Sequence, residues 1–179
     1  MSKTIKRIWN WLSGLLVGIV VLLAIALVGV RLIGLQPYVV LSGSMRPTYE
    51  VGSLIYVKPV DYKQLQVGDP ITYMISQDTV VTHRIIEVLV DEEEPDTLRY
   101  FTKGDANDQP DGTSVHYKNI IGKPVFSVPY LGYVSDYIQN PPGRYWALAG
   151  GALLILLVFL PDIFADEDKK KKPDPKQLE

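Results

Sequence analysis

Hydroxyl, imidazole and carboxylate side chains that could carry catalysis lie in three short segments of this sequence. The chain has no cysteine and only two histidines, His83 and His116. Without a thiol, a nucleophile must be a hydroxyl, a lysine or a carboxylate, and a hydroxyl needs a base to activate it. Ser42 and Ser44 lie in LSGSMRP, which closely follows a long apolar run. Small polar residues at such a place are also typical of a turn that leaves a membrane.

His83 is the stronger candidate for a general base. It lies in VVTHRIIEV, where alternation places Val81, His83 and Ile85 on one face of a predicted strand. An imidazole changes its charge near neutral pH, which suits proton transfer to and from a hydroxyl. The same pattern is typical of a histidine with a purely structural role in a core, so both interpretations stay open.

A third segment, TKGDANDQPDG, supplies carboxylates at Asp105, Asp108 and Asp111. A carboxylate can orient a histidine, as in a Ser-His-Asp triad. Triads assemble from distant positions in several chain orders, so spacing alone does not identify the partner. The segment lacks the length and the terminal glutamate of an EF-hand calcium loop, and as a bare pattern it is typical of a polar turn.

Short strands are the elements that must position these side chains. Between residues 36 and 143, stretches rich in Val, Ile, Tyr and Thr are separated by Gly, Pro, Asp and Asn, with no useful helical periodicity. The pattern predicts a compact, mainly antiparallel β domain at 36–143. Within it, the like-charged residues 91–96 predict a solvated hairpin tip.

An apolar run precedes the predicted β domain. No charged residue occurs from Leu12 to Val30, nineteen residues that rise about 28 Å as a helix, against roughly 30 Å for a bilayer core. We predict a transmembrane anchor at 12–33 after a basic, cytoplasmic N-terminus at 1–11. The A-x-A pattern at 24–26 indicates a cleavable signal peptide as the alternative, but the apolar run continues past it and no polar segment precedes it.

A second apolar run, from Tyr145 to Leu160, follows the β domain. It predicts a second transmembrane helix at 145–161 and a charged cytoplasmic tail at 162–179, because an aromatic pair lies at one end and lysines lie beyond the other. A buried core helix is the alternative, since the run is short for a span. Two spans with both termini in the cytoplasm place the β domain on the far side of the membrane.

Composition narrows the classes of function. The 179 residues are 47% hydrophobic and 21% charged, which excludes a disordered chain. The net charge of -2 does not indicate a nucleic-acid partner. The absence of cysteine excludes thiolate metal sites, and the sequence has neither a Gly-rich phosphate loop nor an HExxH metal motif. We therefore predict a protein without cofactor or metal.

Four segments, in this order, resemble type I signal peptidases: SGSMRPT just after an N-terminal anchor, VGDPITY, VTHRIIEV and TKGDANDQPD. They are most similar to the Ser-His-Asp branch found in archaea, in the endoplasmic reticulum and in some Gram-positive bacteria. In the commoner bacterial branch a lysine stands at the position of His83. The resemblance covers roughly residues 10–160. It implies a signal-peptidase-like antiparallel β-sheet catalytic domain flanked by two transmembrane helices.

The resemblance also implies roles for individual residues. Ser44 is the expected nucleophile, His83 the general base and Asp111 the acid that orients it, with Asp105 as a rival for that last role. For the oxyanion we expect the backbone N–H of Ser44 and the hydroxyl of Ser42. Two further candidates have no catalytic role in this interpretation: Asp108, in a variable part of its motif, and His116, expected at the surface.

The implied function is removal of N-terminal signal peptides from secreted preproteins, with cleavage after small residues of an A-x-A pattern. The expected partners are preprotein signal peptides and the lipid bilayer, in a multi-pass protein of the cell membrane. A prokaryotic member acts alone, whereas a eukaryotic member works with accessory subunits. Two other hypotheses stay open: a related peptidase for a restricted set of secreted proteins, and a non-catalytic membrane β-domain that scaffolds other proteins.

Overall fold

The computed structural model of this protein describes residues 3–90, 95 and 97–170. In this part of the chain the predicted mainly antiparallel β architecture is confirmed, and three α-helices accompany the strands. The predicted hairpin tip at 91–96 lies outside the described residues except for Pro95. In chain order the elements are α1 (Lys3–Leu27), β1 (Gln36–Val39), β2 (Leu54–Lys58), β3 (Pro70–Ser76), β4 (Thr79–Val90), β5 (Leu98–Lys103), β6 (Val115–His116), β7 (Ile120–Val128), α2 (Leu131–Gln139) and α3 (Gly143–Lys170).

The strands form one sheet in the order β1-β2-β7-β3-β4-β5-β6, and every neighbouring pair is antiparallel. β7 joins its two halves, because residues 123–128 pair with β2 and residues 120–122 pair with β3. The change of partner occurs at Gly122, where a Cβ atom would lie 2.1 Å from the carbonyl oxygen of Lys58. Only glycine permits so close a backbone approach.

Two buried clusters hold the sheet in shape. The first joins β3, β4, β5 and β6 through Leu65, Ile71, Tyr73, Ile85, Tyr100 and Val115. The second packs Met45 and Tyr49 against Ile55 and Val57 of β2. Met45 is only 3% exposed, so the residue next to Ser44 is an apolar anchor for the segment between β1 and β2.

Helix α1 covers most of the predicted N-terminal anchor. It is long and apolar enough to cross a membrane over Arg7–Leu27, and none of that window is buried inside the protein. Membrane anchors and signal sequences share this length and composition. The predicted range of 12–33 runs past the end of this α-helix at Leu27, because Gly29–Ile33 form a 3-10 turn capped by Gly34, and the bounds of the anchor in a membrane stay a prediction. Gly34 has φ of 81°, a left-handed conformation that glycine adopts without steric cost.

Helix α2 was not predicted, since the sequence of this part of the β domain shows no useful helical periodicity. Its nine residues are too few to reveal a period, and tertiary contacts hold it. A Cβ on Gly132 would lie 2.5 Å from the Ser53 carbonyl oxygen, and a Cβ on Gly52 would overlap the Tyr133 ring. These glycine contacts dock the helix against the segment that precedes β2.

Helix α3 contains the predicted second span at 145–161, but the observed helix differs from that prediction. It begins at Gly143 and continues to Lys170, so it extends into the predicted charged tail at 162–179. Among the described residues, only α1 meets the criteria for a span by itself, and α3 meets them only as a bent pair with α2. Within the described residues, α3 alone therefore does not support a second, separate transmembrane helix.

Contacts divide the chain into two compact units. One unit, Ile25–Asp136, holds the whole sheet and every candidate catalytic residue. The other is formed by the described residues before Ile25 and after Asp136.

Candidate active site

Ser44 lies in a tight turn between β1 and β2. The N–H of Arg46 donates to the Gly43 carbonyl at 3.1 Å, which closes the turn around Ser44. The N–H of Ala106 donates to the Ser44 carbonyl at 2.8 Å, so the turn is tied to the aspartate-bearing segment. Gly104 of that segment lies so near that a Cβ there would be 2.6 Å from the Ser44 carbonyl oxygen. Backbone contacts on both sides thus hold Ser44 in place.

β4 positions His83. The strand predicted around this residue is present, and His83 and Ile85 are buried on one face while Ile71 of β3 pairs with His83 across the ladder. The His83 side chain is 11% exposed. Its Nε2 atom lies 3.1 Å from the Ser44 Oγ atom, although the two residues are 39 positions apart in the sequence.

Asp111 contacts the other ring nitrogen of His83. The distance from His83 Nδ1 to Asp111 Oδ2 is 2.6 Å. When Nδ1–H donates to this carboxylate, Nε2 is left as an acceptor that faces the Ser44 hydroxyl. Ser44, His83 and Asp111 therefore form a continuous chain of hydrogen bonds, the arrangement that lets an imidazole take the proton of a serine.

Two residues that the sequence did not single out complete the surroundings of Asp111. Thr102 donates its hydroxyl to Asp111 Oδ2 at 2.6 Å, and the Tyr73 hydroxyl donates to the same oxygen at 3.1 Å. The N–H of Asp111 also donates to the Thr102 carbonyl at 2.8 Å. Strand alternation predicts that Thr102 points inward, but no sequence pattern indicates that it meets a residue of the following loop.

The Tyr73 hydroxyl keeps its proton and so can donate a hydrogen bond to this carboxylate. Burial raises the pKa of Tyr73 to about 12, and the charge of Asp111 acts in the same direction. The phenol is therefore neutral at physiological pH. It adds a second hydroxyl donor to the carboxylate that His83 contacts.

Asp105 has a different partner. Arg84 donates Nε–H to Asp105 Oδ1 at 2.8 Å and Nη2–H to Oδ2 at 2.7 Å. Thr48 also donates its hydroxyl to Oδ2, and Arg84 reaches the Gly68 carbonyl at 2.7 Å. The pKa of Asp105 lies below its usual range, mainly because the Arg84 guanidinium donates hydrogen bonds to the carboxylate. The hydrogen bond from Thr48 lowers this pKa further. The pair thus ties the serine segment and β4 to the segment that contains Asp111.

The remaining predicted residues lie at different distances from this centre. Ser42 Oγ is 3.2 Å from Ser44 Oγ, so its hydroxyl is at the centre. Asp108 is exposed in the loop that follows Asp105. His116 ends β6, and its Nδ1 accepts the N–H of Lys118 at 3.2 Å, which caps a short 3-10 turn. His116 is half-buried rather than fully exposed, and it takes no part in the chain of hydrogen bonds.

Two cavities meet at Ser42 and Ser44. The larger, of about 520 Å³, is mostly apolar and lies between residues 38–42 and residues 78–82. The smaller, of about 470 Å³, is lined by His83, Asp111 and Asn107 among others. His83 lines the smaller cavity and not the larger one.

Comparison with known proteins finds a matching family model and several similar proteins, all of them described as signal peptidases or their catalytic subunits. The family model described as signal peptidase, peptidase S26, matches residues 9–125. Signal peptidase I W of Bacillus subtilis (strain 168) is 38% identical over 123 residues, which cover 64% of this chain and 63% of that protein. The signal peptidase complex catalytic subunit SEC11C of Rattus norvegicus is 28% identical over 128 residues, 66% of each chain. The catalytic subunit SEC11 of Fusarium vanettenii is 30% identical over 130 residues, which cover 66% of this chain and 73% of that protein.

The match with the first two relatives spans slightly less than two thirds of their length. The matched part of this chain includes Ser44, His83, Asp105 and Asp111, since the family model extends from residue 9 to residue 125.

Proposed function

This chain belongs to the signal peptidase family, peptidase S26, and from that premise we propose that it is a membrane-bound serine endopeptidase that removes N-terminal signal peptides from secreted preproteins. The observation that carries the proposal is the chain of hydrogen bonds from Ser44 through His83 to Asp111 at the junction of two cavities. A scaffold protein would need no such arrangement.

The proposed reaction proceeds through an acyl-enzyme. His83 Nε2 takes the proton of the Ser44 hydroxyl while Oγ bonds to the scissile carbonyl carbon. The C–N bond then breaks, and the imidazolium gives the proton to the leaving amine. Water, activated by the same nitrogen, hydrolyses the acyl-enzyme. Asp111 stabilises the imidazolium and keeps Nδ1 protonated throughout, with Thr102 and Tyr73 holding the carboxylate by their hydroxyls.

Ser42 and the backbone of Ser44 are proposed to stabilise the oxyanion. The Ser42 hydroxyl lies 3.2 Å from Ser44 Oγ, close to the point where a carbonyl under attack would sit. A hydrogen-bond donor of this kind typically contributes about 2.7 to 4 kcal/mol of transition-state stabilisation.

The larger cavity is proposed to hold the end of the signal peptide. β1 lies at one end of the strand order, so an extended peptide can add alongside it and place alternate side chains in pockets. The cavity walls include Val39, Val40 and Leu41 on one side and Val80 and Val81 on the other. Aliphatic walls of this size favour small apolar side chains, which agrees with cleavage after an A-x-A pattern.

Membrane attachment is proposed through α1, with the segment 1–11 in the cytoplasm and the catalytic unit outside. The length and apolarity of Arg7–Leu27 support the first crossing. The apolar run at 145–161, its aromatic residues and the lysines beyond it support a second crossing, which returns the C-terminus to the cytoplasm. Attachment to the cell membrane holds the enzyme on the same bilayer as its substrates, a gain in proximity.

Two of the relatives are named as catalytic subunits of a signal peptidase complex, so accessory subunits are one possible arrangement for this chain. We propose that it acts alone, because all of the proposed catalytic groups come from one compact unit of a single chain. Activity of the purified chain without other proteins tests this part.

The decisive experiment is a cleavage assay of the purified full chain in detergent with a preprotein whose signal peptide ends in A-x-A. We expect cleavage after the final alanine, identified by mass spectrometry, and no cleavage by Ser44→Ala. Cleavage at full rate by Ser44→Ala would exclude Ser44 as the nucleophile. No cleavage by the wild-type chain would count against the proposed function itself.

A further inference from the structure

The smaller cavity contains a polar side chain that the proposed catalytic chain does not use. Asn107 lines it together with Ser44 and His83. Within residues 3–90, 95 and 97–170, the carboxamide of Asn107 has no hydrogen-bond partner. Because a carboxamide carries two N–H donors and one carbonyl acceptor, Asn107 retains its full capacity to bind a ligand in this cavity.

The backbone holds Asn107 in place even though its carboxamide is unpaired. Its N–H donates to the Gly104 carbonyl at 3.0 Å, in the same turn in which the N–H of the preceding residue, Ala106, donates to the Ser44 carbonyl. The carboxamide lies close against Gly104, since a Cβ there would be 2.8 Å from Asn107 Nδ2. The orientation of the side chain toward the cavity is therefore built into the same turn that positions Ser44.

Proton transfer identifies which product occupies this cavity. In the proposed reaction, His83 must give its proton to the nitrogen that leaves, so the leaving peptide has to lie on the side of Nε2. His83 lines the smaller cavity and does not line the larger one. The two serines line both, as expected for groups at the point where the scissile bond lies.

We propose that the smaller cavity is the leaving-group subsite, which receives the first residues of the mature protein, and that Asn107 binds their backbone. This inference rests on the proposed function. One carboxamide can hydrogen-bond to a backbone N–H and C=O of the substrate without contacting the substrate's side chains. Such recognition suits an enzyme whose cleavage products begin with different residues.

The proposed contact exists only during acylation. The Ser44 Oγ–carbon bond forms, the C–N bond breaks, the Ser44 proton passes through His83 to the leaving nitrogen, and the mature peptide departs as a free amine. Hydrolysis of the acyl-enzyme then takes place with the leaving-group subsite empty of peptide. A substitution at Asn107 should therefore slow acylation by peptides and leave deacylation unchanged.

Two substrates with the same signal-peptide sequence separate these steps. The long substrate continues for five residues beyond the cleavage site, and the short one ends there as a 4-nitrophenyl ester, which has no peptide beyond the bond. We expect Asn107→Leu to lower kcat/KM for the long substrate about 5- to 10-fold, as for the loss of one or two neutral hydrogen bonds. The ester should change by less than about twofold, since its nitrophenyl leaving group has no peptide N–H or C=O for the Asn107 carboxamide to bind.

Asp108→Ala is the matched control, because Asp108 is the exposed neighbour of Asn107. It should leave the ratio of the two kcat/KM values unchanged. The ester also reports folding, and Asn107→Ala provides the same ratio if the leucine variant does not fold. Equal losses on both substrates, or no loss on either, would overturn the inference while leaving the peptidase function intact. If wild-type protein cleaves neither substrate, the proposed function fails and the inference fails with it.

Discussion

Arg84 donates two parallel hydrogen bonds to Asp105, from Nε to Oδ1 at 2.8 Å and from Nη2 to Oδ2 at 2.7 Å. A forked pair of this kind uses both oxygens of the carboxylate and is among the stronger polar contacts in proteins. Asp111, six positions later in the sequence, instead contacts His83 Nδ1. The two aspartates of one short segment thus have separate partners, and this separation leads to distinguishable predictions.

Replacement by asparagine should mainly affect catalysis at Asp111 and mainly affect stability at Asp105. Asp111→Asn should lower kcat about 10⁴-fold, because an amide cannot keep Nδ1 protonated and stabilise the imidazolium. Asp105→Asn should lower the free energy of unfolding by about 2 kcal/mol, the order of a hydrogen bond to a charged group, with a much smaller loss of kcat. Steady-state kinetics and thermal unfolding of both variants test the assignment.

Arg84→Lys is the matched control for this pair, because a lysine retains the charge and loses the forked geometry. It should reproduce part of the stability loss of Asp105→Asn and little of the kinetic loss of Asp111→Asn. A larger fall in kcat for Asp105→Asn than for Asp111→Asn would reverse the roles of the two acids.

The ion pair should also make stability depend on pH in the acid range. The folded pKa of Asp105 is lowered, mainly by its hydrogen bonds to Arg84, so its contribution is present above the unfolded pKa of about 3.9 and is lost as the pH falls through the folded value. The difference in Tm between wild type and Asp105→Asn should therefore be largest at neutral pH and shrink below about pH 4. A difference that stays constant from pH 7 to pH 3 would exclude this contribution.

Replacement of His83 by lysine should not convert the site to the chemistry of lysine-dependent relatives. The carboxylate of Asp111 lies 2.6 Å from His83 Nδ1, so it would favour the charged form of an ammonium placed there. A charged lysine cannot accept the Ser44 proton. We expect His83→Lys to lose at least about 10³-fold in kcat at pH 7, a loss typical of a missing general base.

The pH–rate profile of His83→Lys distinguishes this cause from misplacement. If Asp111 keeps the ammonium charged, activity should rise as the pH increases toward 10, and the double variant His83→Lys, Asp111→Asn should be more active than the single one. Equal activity of the two at every pH would show that geometry, rather than charge, limits the reaction.

Some parts of the site could be predicted from the sequence and others could not. The strand around His83 was predictable, because alternation is a local property, and β4 has it. The choice between Asp105 and Asp111 was not, since both are acids in one polar loop. Apart from Thr48, their side-chain partners come from β3, β4 and β5, and such contacts depend on register across the sheet. The positions of Thr102 and Tyr73 beside Asp111 were unpredictable for the same reason.

The helices were likewise only partly predictable from the sequence. Apolarity indicated a long helix near the N-terminus but neither of its ends, since α1 begins at Lys3 and stops at Leu27 before the 3-10 turn at Gly29–Ile33. α2 is held by contacts of Gly132 with the backbone of Gly52 and Ser53, and a propensity pattern contains no trace of such contacts. Composition decided the class of fold, whereas close approaches between distant segments decided the details.

Gly104 should be essential for the position of Ser44. A Cβ there would lie 2.6 Å from the Ser44 carbonyl oxygen and 2.8 Å from Asn107 Nδ2, and the first of these atoms is backbone that cannot move without the serine. Gly104→Ala should therefore shift Ser44 away from His83 Nε2 and lower kcat/KM at least about 100-fold, because misplacement of about 1 Å has effects of that order. Gly18→Ala is the control, since among the described residues no atom beyond its chain neighbours and its own helix backbone lies within 4 Å of the added carbon. Because the clash is local, the Tm of Gly104→Ala should fall by only a few degrees, and a fully active variant would show that the serine turn does not depend on this contact.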